Sequence, residues 1–263
     1  MTKFTIITVT YNDCERCLAT VHDVALQTYS EYEHIVVDGA STDQTVLQLQ
    51  DNKNIKLISS PDNGIFDAMN KGIKRSNSDY IIFMNAGDFF YNKDVLKDIQ
   101  KLIIDKGNPE FIYGDALEFD SRYPGWSAYK ACRKPIWIEY GMVTHHQSMF
   151  FKTEFLKKQK IIYNINYKKA ADYAFVSQVI KRAKNIHDCS ICVSRYDLNG
   201  ISQIEHSKSM LEPFLIKRRI LKQSFLKIVF IISIQYVLNR LKRNFPKFYH
   251  LLRYGSFNLG KTQ

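Results

Sequence analysis

Short polar and acidic side chains follow four apolar segments within the first ninety residues. They are Thr10, Tyr11 and Asn12 after the first segment, Asp38 after the second, Asp62, Asn63 and Gly64 after the third, and residues 85–88 (NAGD) after the fourth. Carboxylates, amides and hydroxyls hydrogen-bond bases and riboses, and carboxylate oxygens bind hard divalent cations. Parallel strands would bring these residues to one sheet edge, where open α/β sheets bind ligands. The pattern therefore predicts one polar binding site.

The elements that must carry these residues alternate between strand and helix as far as residue 104. Strands are predicted at 4–10, 34–37, 55–58 and 80–84, and helices at 13–28, 41–50, 65–74 and 95–104, with Asp13 capping the first helix. The alternation implies right-handed crossovers and a parallel sheet with helices on both faces. Beyond residue 110 we predict short strands at 111–113, 148–151 and 191–195 and a helix at 170–181. The predicted fold class is α/β.

Several common signatures are absent from the sequence. It has no G-x-G-x-x-G, no G-x-x-x-x-G-K-[ST] and no G-x-S-x-G, which argues against dinucleotide-binding, P-loop and α/β-hydrolase chemistry. Two C-x-x-C pairs, Cys14 with Cys17 and Cys189 with Cys192, lack the turn glycines of a zinc knuckle. Since the sequence has five cysteines and no export signal, we expect reduced thiols in the cytoplasm.

The excess of basic residues lies in the last fifth of the chain. Eleven of the 37 Lys and Arg residues and none of the 26 Asp and Glu residues fall in 213–263, which leaves 26 basic and 26 acidic residues in 1–212. Residues 214–254 are predicted to be helical, with basic clusters on both sides of an uncharged run at 228–239. This run is shorter than the roughly 20 residues that span a bilayer. The composition indicates a helix lying on an anionic membrane surface. The alternative is a helical hairpin packed on the core or in a homodimer.

Seven motifs, in this order, resemble those of the inverting glycosyltransferases of family 2, which have the GT-A fold. They are TVTYND (8–13), HIVVDGASTDQT (34–45), SSPDNGIFDAMNKGI (59–73), DYIIFMNAGD (79–88), HHQSMFFK (145–152), ADYAF (171–175) and NGIS (199–202). They look closest to the bacterial branch that builds O-antigen, capsule and other exopolysaccharides. The resemblance implies a GT-A domain at 1–205, with a Rossmann-like, mostly parallel sheet, followed by basic amphipathic helices at 206–263.

The resemblance also implies roles for the matching positions. Asp172 matches the catalytic base that deprotonates the acceptor hydroxyl, and His146 lies in the segment near the acceptor and the diphosphate. Positions that match donor-binding segments are Thr10, Tyr11, Asn12, Asp38, Asp62, Gly64, Asp67, Asn70, Lys71, Asn85 and Asp88. Inverting transfer needs one base opposite the leaving group and no covalent intermediate, and a single aspartate meets that need.

Asp88 matches the last acid of the family's Asp-x-Asp-like motif, which holds a divalent metal on the donor diphosphate. The family usually has two or three acids in this motif, whereas this sequence has Asn85 and Gly87 beside Asp88. Mg²⁺ keeps several waters and needs few protein ligands. We therefore expect Mn²⁺ or Mg²⁺ at Asp88, held more loosely than in other members.

Four of these acidic and basic positions have a structural alternative. Asp38 is also typical of a turn, and Asp172 of a helix start that the helix dipole favours. Asp67 and Lys71 have the i, i+4 spacing of an ion pair on a solvated helix face.

Three ring-bearing residues have two interpretations each. His146 is explained equally well by packing and by chemistry. Trp126 and Trp137 fit an aromatic core, which is the expectation, or an acceptor groove.

The predicted function is inverting transfer of a hexose, from UDP-Glc or UDP-Gal in the first instance, to a polyprenyl-diphosphate-linked glycan. The expected setting is O-antigen, lipopolysaccharide or capsule synthesis on the inner face of the bacterial cell membrane. A sugar-1-phosphate nucleotidyltransferase would need a Gly-rich basic loop after the first strand, and residues 10–12 do not form one. A nucleic-acid-binding protein would use the basic tail, but the neutral body offers no basic-aromatic surface, so no nucleic acid is expected as a partner.

Overall fold

The computed structural model describes residues 1–199 and 211–244, and this part of the chain contains nine strands and eight α-helices. The strands are β1 (Phe4–Thr10), β2 (Tyr32–Asp38), β3 (Lys56–Ser59), β4 (Tyr80–Phe83), β5 (Phe89–Phe90), β6 (Phe111–Phe119), β7 (Ser127–Lys130), β8 (Met149–Lys152) and β9 (Ile186–Asp197). The helices are α1 (Cys14–Ala25), α2 (Thr45–Leu49), α3 (Ile65–Arg75), α4 (Val95–Asp105), α5 (Thr153–Gln159), α6 (Ala171–Arg182), α7 (Leu211–Arg219) and α8 (Phe225–Asn244). Short 3₁₀ helices cover Pro135–Glu139 and His146–Ser148.

The nine described strands form one sheet in the order β3-β2-β1-β4-β8-β6-β9-β5, with β7 paired to β6. β1 pairs in parallel with β2 and β4, and β2 pairs in parallel with β3. β8 joins antiparallel to β4 and β6. The register sets Asp38 beside both Thr10 and Ser59, so the carboxyl ends of β1, β2 and β3 are level. This confirms the predicted α/β sheet with its polar exits at one edge.

Helices cover both faces of the sheet, as the alternating pattern predicts. On one face Ile7 of β1 packs in a buried cluster with residues of α3 and α6, including Phe175. On the other face Ile6 packs in a second cluster with residues of α1 and α4, including Ile99. Successive side chains of a strand point to opposite faces. Because both faces are buried, β1 is buried along its whole length and β4 is apolar throughout.

Two local predictions near the N-terminus are wrong. The helix predicted at 41–50 is restricted to Thr45–Leu49, because residue 41 lies in a turn in which the backbone N–H of Ser41 donates to Asp38 Oδ2 (3.0 Å). Asp13 does not cap α1 through its side chain. Its Oδ2 instead lies 3.4 Å from Nε of Arg16, one turn into the helix.

Two strands of the second half are longer than predicted. β6 has nine residues and β9 has twelve, and they pair in parallel along their length, from Phe111 opposite Ile186 to Phe119 opposite Asp197. This pairing between distant segments extends both strands into polar sequence that a local pattern assigns to loops. Its consequence for the site is that β9 carries Asp197 to the ligand-binding edge.

The basic segment forms two helices rather than one continuous helix. α7 ends at Arg219, α8 begins at Phe225, and the predicted residues 245–254 lie outside the described part. In α7, Ile216 and Lys217 are buried, and Lys217 Nζ donates to the hydroxyl of Tyr173 (3.1 Å). No helix within 1–199 and 211–244 is long and apolar enough to cross a membrane. The predicted domain boundary after residue 205 also lies outside the described residues.

Candidate active site

The loops that follow β1 and β2 are tied together at the sheet edge. Asn12 has a positive φ of 50°, its N–H donates to Ser41 Oγ (2.8 Å), and its Oδ1 accepts from the N–H of Thr42 (2.8 Å). Asp38 is fully buried and accepts hydrogen bonds from both the N–H and the hydroxyl of Ser41 and from Ser59 Oγ (2.7 Å). Asp38 thus fixes the loop, and its contact with a base or ribose stays a prediction.

Tyr11 and Asp62, two predicted donor residues in the loops after β1 and β3, lie on either side of Gly39 in the loop after β2. A Cβ at Gly39 would lie 2.7 Å from Asp62 Oδ2 and 3.2 Å from Tyr11 Cδ2, so this close approach requires glycine. The Tyr11 ring is 58% exposed, whereas Thr10 is buried at the end of β1. Asp62 Oδ1 accepts from the N–H of Gly64 (2.8 Å), whose φ of +105° favours glycine. The exposed Tyr11 ring and the Asp62 carboxylate therefore lie close together at the sheet edge.

Asp67 and Lys71 both contact the loop before α3. Asp67 Oδ2 accepts from the N–H of Asn63 (3.0 Å), and Lys71 Nζ donates to the carbonyl of Pro61 (2.7 Å) and to Ser60 Oγ (3.0 Å). The alternative of an ion pair between the two on a solvated face is therefore wrong. Both side chains instead shape the loop that carries Asp62.

Asn70 connects α3 to the segment ahead of α6. Its Nδ2 donates to the carbonyl of Tyr163 (2.8 Å), and its Oδ1 accepts from the N–H of the same residue (2.9 Å). The Tyr163 ring stacks on Phe175 of α6, with centroids 4.3 Å apart. The Tyr163 hydroxyl is buried and has no hydrogen-bond partner among the described residues. Asn70 therefore places an aromatic residue beside the helix that carries Asp172.

Asp88 is almost fully buried at the exit of β4. Its Oδ2 accepts from Gln147 Nε2 (2.6 Å), and its Oδ1 accepts from the N–H of Asp197 (3.3 Å). Burial raises the pKa of Asp88 to about 7, against the lowering effects of these hydrogen bonds and of the nearby Arg16. Both carboxylate oxygens of the predicted metal ligand are thus already hydrogen-bonded within the protein.

The Arg16 guanidinium lies directly over Gly87. A Cβ at Gly87 would overlap it, with Cζ only 2.5 Å away. Arg16 Nη1 donates to Asp197 Oδ2 at 2.9 Å, and Asp197 Oδ1 accepts from the N–H of Ser121 (3.1 Å). The cluster of Arg16, Gly87, Asp88 and Asp197, called the arginine cluster below, thus joins α1, the exit of β4 and the end of β9.

The side chains of the arginine cluster do not fit a divalent cation. Its one motif carboxylate is already hydrogen-bonded through both oxygens, and a fixed guanidinium stands beside it. In the part of the chain that the structure describes, no group of three or more His, Cys, Asp and Glu side chains is placed to hold a metal ion. The two C-x-x-C pairs form no such group either, and none of their cysteines is in a disulfide bond.

His146 contacts Asn85, the first residue of the NAGD motif after β4. Its Nε2 lies 3.3 Å from Nδ2 of Asn85, and its ring meets the edge of Phe83. Burial lowers the pKa of His146 to about 3, so the ring is neutral at ordinary pH. Its neighbour His145 points elsewhere, with Nε2 2.9 Å from Glu118 Oε1. His146 is therefore a neutral hydrogen-bonding group beside the exit of β4.

Asp172 lies in the first turn of α6. Its Oδ1 accepts from the N–H of Tyr173 (2.7 Å). Burial and, to a smaller extent, the charge of Glu212 together raise the pKa of Asp172 to about 6. Glu212 of α7 accepts hydrogen bonds from three successive backbone N–H groups, those of residues 168, 169 and 170. The carboxylate is thus poised to exchange a proton near neutral pH.

Sequence reasoning missed four residues of the site: Arg16, Gln147, Asp197 and Glu212. Their sequence neighbours carry no signal for the role, because each contact joins segments that are distant along the chain, such as Arg16 to Asp197 across 181 positions. A hint existed at Gly87, since a motif that replaces an acid by glycine leaves room for another group.

The two tryptophans are not in the core. Trp126 is 43% exposed and Trp137 is 47% exposed, so the expectation of an aromatic core is wrong. Trp137 belongs to the 3₁₀ helix at Pro135–Glu139, whose Ile136 is 74% exposed. This 3₁₀ helix adjoins α8, because Lys227 Nζ lies 2.7 Å from Glu139 Oε2.

Comparison with known proteins gives a family and a fold. The family model described as glycosyl transferase family 2 matches residues 5–184. A PGL/p-HBAD biosynthesis glycosyltransferase of Mycobacterium bovis is 25% identical over 177 residues, which make up 65% of this chain and 67% of that protein.

Two solved structures are similar over most of the chain. Staphylococcus aureus TarS in complex with UDP-GlcNAc superposes with a TM-score of 0.69 at 20% identity, covering 96% of this chain and 76% of that chain. The mannosyltransferase PcManGT from Pyrobaculum calidifontis, in complex with GDP-Man and Mn²⁺, superposes with a TM-score of 0.56 at 17% identity, covering 87% and 64%. These likenesses concern the fold, and they confirm the predicted GT-A architecture.

Proposed function

The chain belongs to glycosyl transferase family 2, and we propose that it is an inverting hexosyltransferase that uses a nucleotide-diphosphate sugar and a lipid-linked glycan acceptor. That it is a glycosyltransferase follows from the family. The inverting course, the donor and the acceptor are proposals. The observation that carries them is Asp172, a carboxylate at a helix start with a pKa raised to about 6.

Asp172 is the proposed general base. As the acceptor oxygen attacks the anomeric carbon, Asp172 takes the hydroxyl proton, the new glycosidic bond forms, and the bond to the diphosphate breaks on the opposite side. A carboxylate with a pKa near 6 is largely ionised at pH 7 and still basic enough to accept the proton. The hydrogen bond from the N–H of Tyr173 fixes its orientation.

The donor is proposed to bind along the carboxyl edge of β1, β2 and β4. The exposed Tyr11 ring offers a stacking surface for the base, and Asp62 is the nearest accessible carboxylate for ribose or sugar hydroxyls. UDP-Glc and UDP-Gal remain the first donors to test. UDP-GlcNAc joins them because S. aureus TarS binds it and shares the fold.

The divalent cation that the sequence predicts at Asp88 is not part of the proposed function. GT-A enzymes commonly use such a cation, as the Mn²⁺ complex of PcManGT illustrates. Since the side chains around Asp88 do not fit one, no step of the proposed mechanism depends on it.

The proposed acceptor site lies next to an apolar surface. More than half of the circumference of α8 carries exposed apolar side chains, those of Phe225, Leu226, Val229, Phe230, Ile234, Tyr236, Val237 and Leu238. The opposite face packs on the body through the buried Ile228 and Ile231. Exposed Ile136 and Trp137 lie on the adjoining 3₁₀ helix. We call the exposed residues of α8 together with Ile136 and Trp137 the α8 surface.

An anionic membrane is the proposed partner of the α8 surface. Residues 213–263 hold eleven basic residues and no acid, so a second copy would bring like charges together, whereas anionic head groups would balance them. This arrangement suits a polyprenyl-linked acceptor at the inner face of the cell membrane and a role in surface polysaccharide synthesis. A homodimer through α8 is the competing occupant. The division into a GT-A domain at 1–205 and a membrane-associating segment at 206–263 belongs to the same proposal.

The direct test is a transfer assay with radiolabelled donors. UDP-Glc, UDP-Gal, UDP-GlcNAc, GDP-Man and dTDP-rhamnose are each offered with lipid-diphosphate-sugar acceptors, in Mn²⁺ and in EDTA. We expect product from one UDP-sugar, with the opposite anomeric configuration to the donor. Product with the donor's configuration would contradict the inverting mechanism. Failure of every corresponding nucleotide to bind would contradict the donor site.

A further inference from the structure

The motif after β4 has a glycine where the family usually has an acid, and a guanidinium fills the space. The missing Cβ of Gly87 allows the Arg16 guanidinium to lie against the backbone, because any side chain there would overlap it. The φ of Gly87, +87°, also favours glycine. At this point of the sheet edge the protein therefore has the positive charge of Arg16, where the family usually has a carboxylate.

Three contacts hold the Arg16 guanidinium in place. Nη1 donates to Asp197 Oδ2 (2.9 Å), Nε lies 3.4 Å from Asp13 Oδ2, and Nη2 lies 3.5 Å from the carbonyl oxygen of Ala86. A guanidinium has five N–H donors, so these contacts leave others available. The Arg16 side chain is also 26% exposed. The guanidinium is thus held by these contacts and is still partly exposed to solvent.

We propose that Arg16 binds the diphosphate of the donor and supplies the positive charge that a divalent cation supplies in other GT-A enzymes. This inference rests on the proposed function. Negative charge builds on the diphosphate as its bond to the sugar breaks, and a pre-positioned guanidinium stabilises it without reorganisation. The planar fork of arginine matches two phosphate oxygens at once.

The neighbouring acids support this role by positioning Arg16. Asp197 is 3% exposed and is itself fixed by the N–H of Ser121 (3.1 Å), so the ion pair cannot swing away. Asp88 receives the N–H of Asp197 and the amide of Gln147, which keeps the end of β9 against the exit of β4.

The test is nucleotide binding to the purified full-length chain, measured by calorimetry at constant ionic strength. UDP, GDP and dTDP are compared with their nucleosides, in EDTA and in Mn²⁺. The variants are Arg16→Gln, Arg16→Lys and, as a matched control, the exposed helical Arg75→Gln. Thermal unfolding of each variant confirms that it is folded at the measuring temperature.

We expect the wild type to bind a nucleoside diphosphate equally well in EDTA and in Mn²⁺. Arg16→Gln should weaken that binding by about 10- to 100-fold, which is the usual range for losing hydrogen bonds to a charged group. Nucleoside binding should change little, Arg16→Lys should recover part of the loss, and Arg75→Gln should match the wild type. A merely structural role for Arg16 would weaken nucleoside and diphosphate binding alike.

Two results would overturn the inference, and a third would also overturn the proposed function. One is diphosphate binding that is lost in EDTA but unchanged in Arg16→Gln, which would assign the charge to a cation. The other is an equal loss of nucleoside and diphosphate affinity in a folded Arg16→Gln protein. If none of the three nucleotides binds the wild type, both the inference and the proposed function are wrong. Failure of the Arg16 inference alone is recognised because the wild type still binds a nucleotide.

Discussion

The carboxylate of Glu212 in α7 lies against the start of the helix that carries Asp172, and its charge adds to the larger effect of burial in raising the pKa of Asp172. Glu212 accepts hydrogen bonds from the N–H groups of Lys168 (2.8 Å), Lys169 (3.0 Å) and Ala170 (2.9 Å). A residue of α7 thus orders the backbone ahead of the proposed base. α7 and the start of α6 are therefore directly connected.

The first prediction concerns the pH dependence of transfer. Asp172 must be ionised to accept a proton, and burial raises its pKa to about 6. Activity should therefore be constant above that pH and fall about tenfold per pH unit below it. Glu212→Gln removes a negative charge, so the acid limb of kcat/KM should move to lower pH. The measurement is a pH–rate profile of both proteins.

A matched control separates this effect from a general change of surface charge. Glu154 lies on α5 with its side chain 81% exposed, and Glu154→Gln should leave the limb in place. If the limb is the same in Glu212→Gln and the wild type, Glu212 does not act on the base.

The second prediction concerns the base itself. Asp172→Asn keeps the size of the side chain but cannot take the acceptor proton, so kcat should fall by roughly 10²- to 10⁴-fold with donor affinity unchanged. The control is Asp98→Asn, another acid in the first turn of a helix, on α4. Steady-state kinetics and donor titration give both numbers. A parallel loss of donor affinity would instead indicate a role in binding.

The third prediction concerns the α8 surface. Liposomes that contain anionic lipid should bind the protein in flotation experiments, and added salt should weaken binding, since each basic residue contributes about 1 kcal/mol. Leu226→Asp combined with Phe230→Asp places charge on the surface and should abolish binding. Ile104→Asp, at a 64% exposed position of α4, should not.

A homodimer through the α8 surface would give a different set of results. If the wild type is a dimer in light scattering and the double variant is a monomer, with no lipid binding by either, the partner is a second copy of the chain. Binding to DNA in place of liposomes would contradict both interpretations.

The fourth prediction concerns the contact between α3 and β1. A Cβ at Gly72 would lie 2.5 Å from Cγ2 of Ile7 in the buried core. Gly72→Ala should therefore lower the free energy of unfolding by about 1–3 kcal/mol, although alanine normally stabilises a helix by roughly 1 kcal/mol. Urea unfolding gives the value. Lys74→Ala, at an exposed position of α3, should change it by less than about 0.5 kcal/mol. A stabilised Gly72→Ala would mean that α3 shifts freely.

Local sequence patterns determined the first half of the fold. Strands 4–10 and 80–84 and the helix at 65–74 were predictable to within a residue or two, because apolar runs and helical spacing report burial directly. The short polar residues after each strand also predicted the binding edge, since parallel strands end on one side. The bounds of β6, β9 and α2 were not predictable, because pairing between distant segments and loop hydrogen bonds set them.

The sequence by itself determined the family, the α/β architecture and the identity of the acids at the sheet edge. Only the tertiary structure decided what each acid does. It buried Asp38 among serine hydroxyls, filled the space at Gly87 with Arg16, and set Glu212 behind Asp172. The physical reason is that a carboxylate's role depends on its burial and on the charges within a few ångströms. Most of those neighbours come from distant segments, up to 181 positions away along the chain.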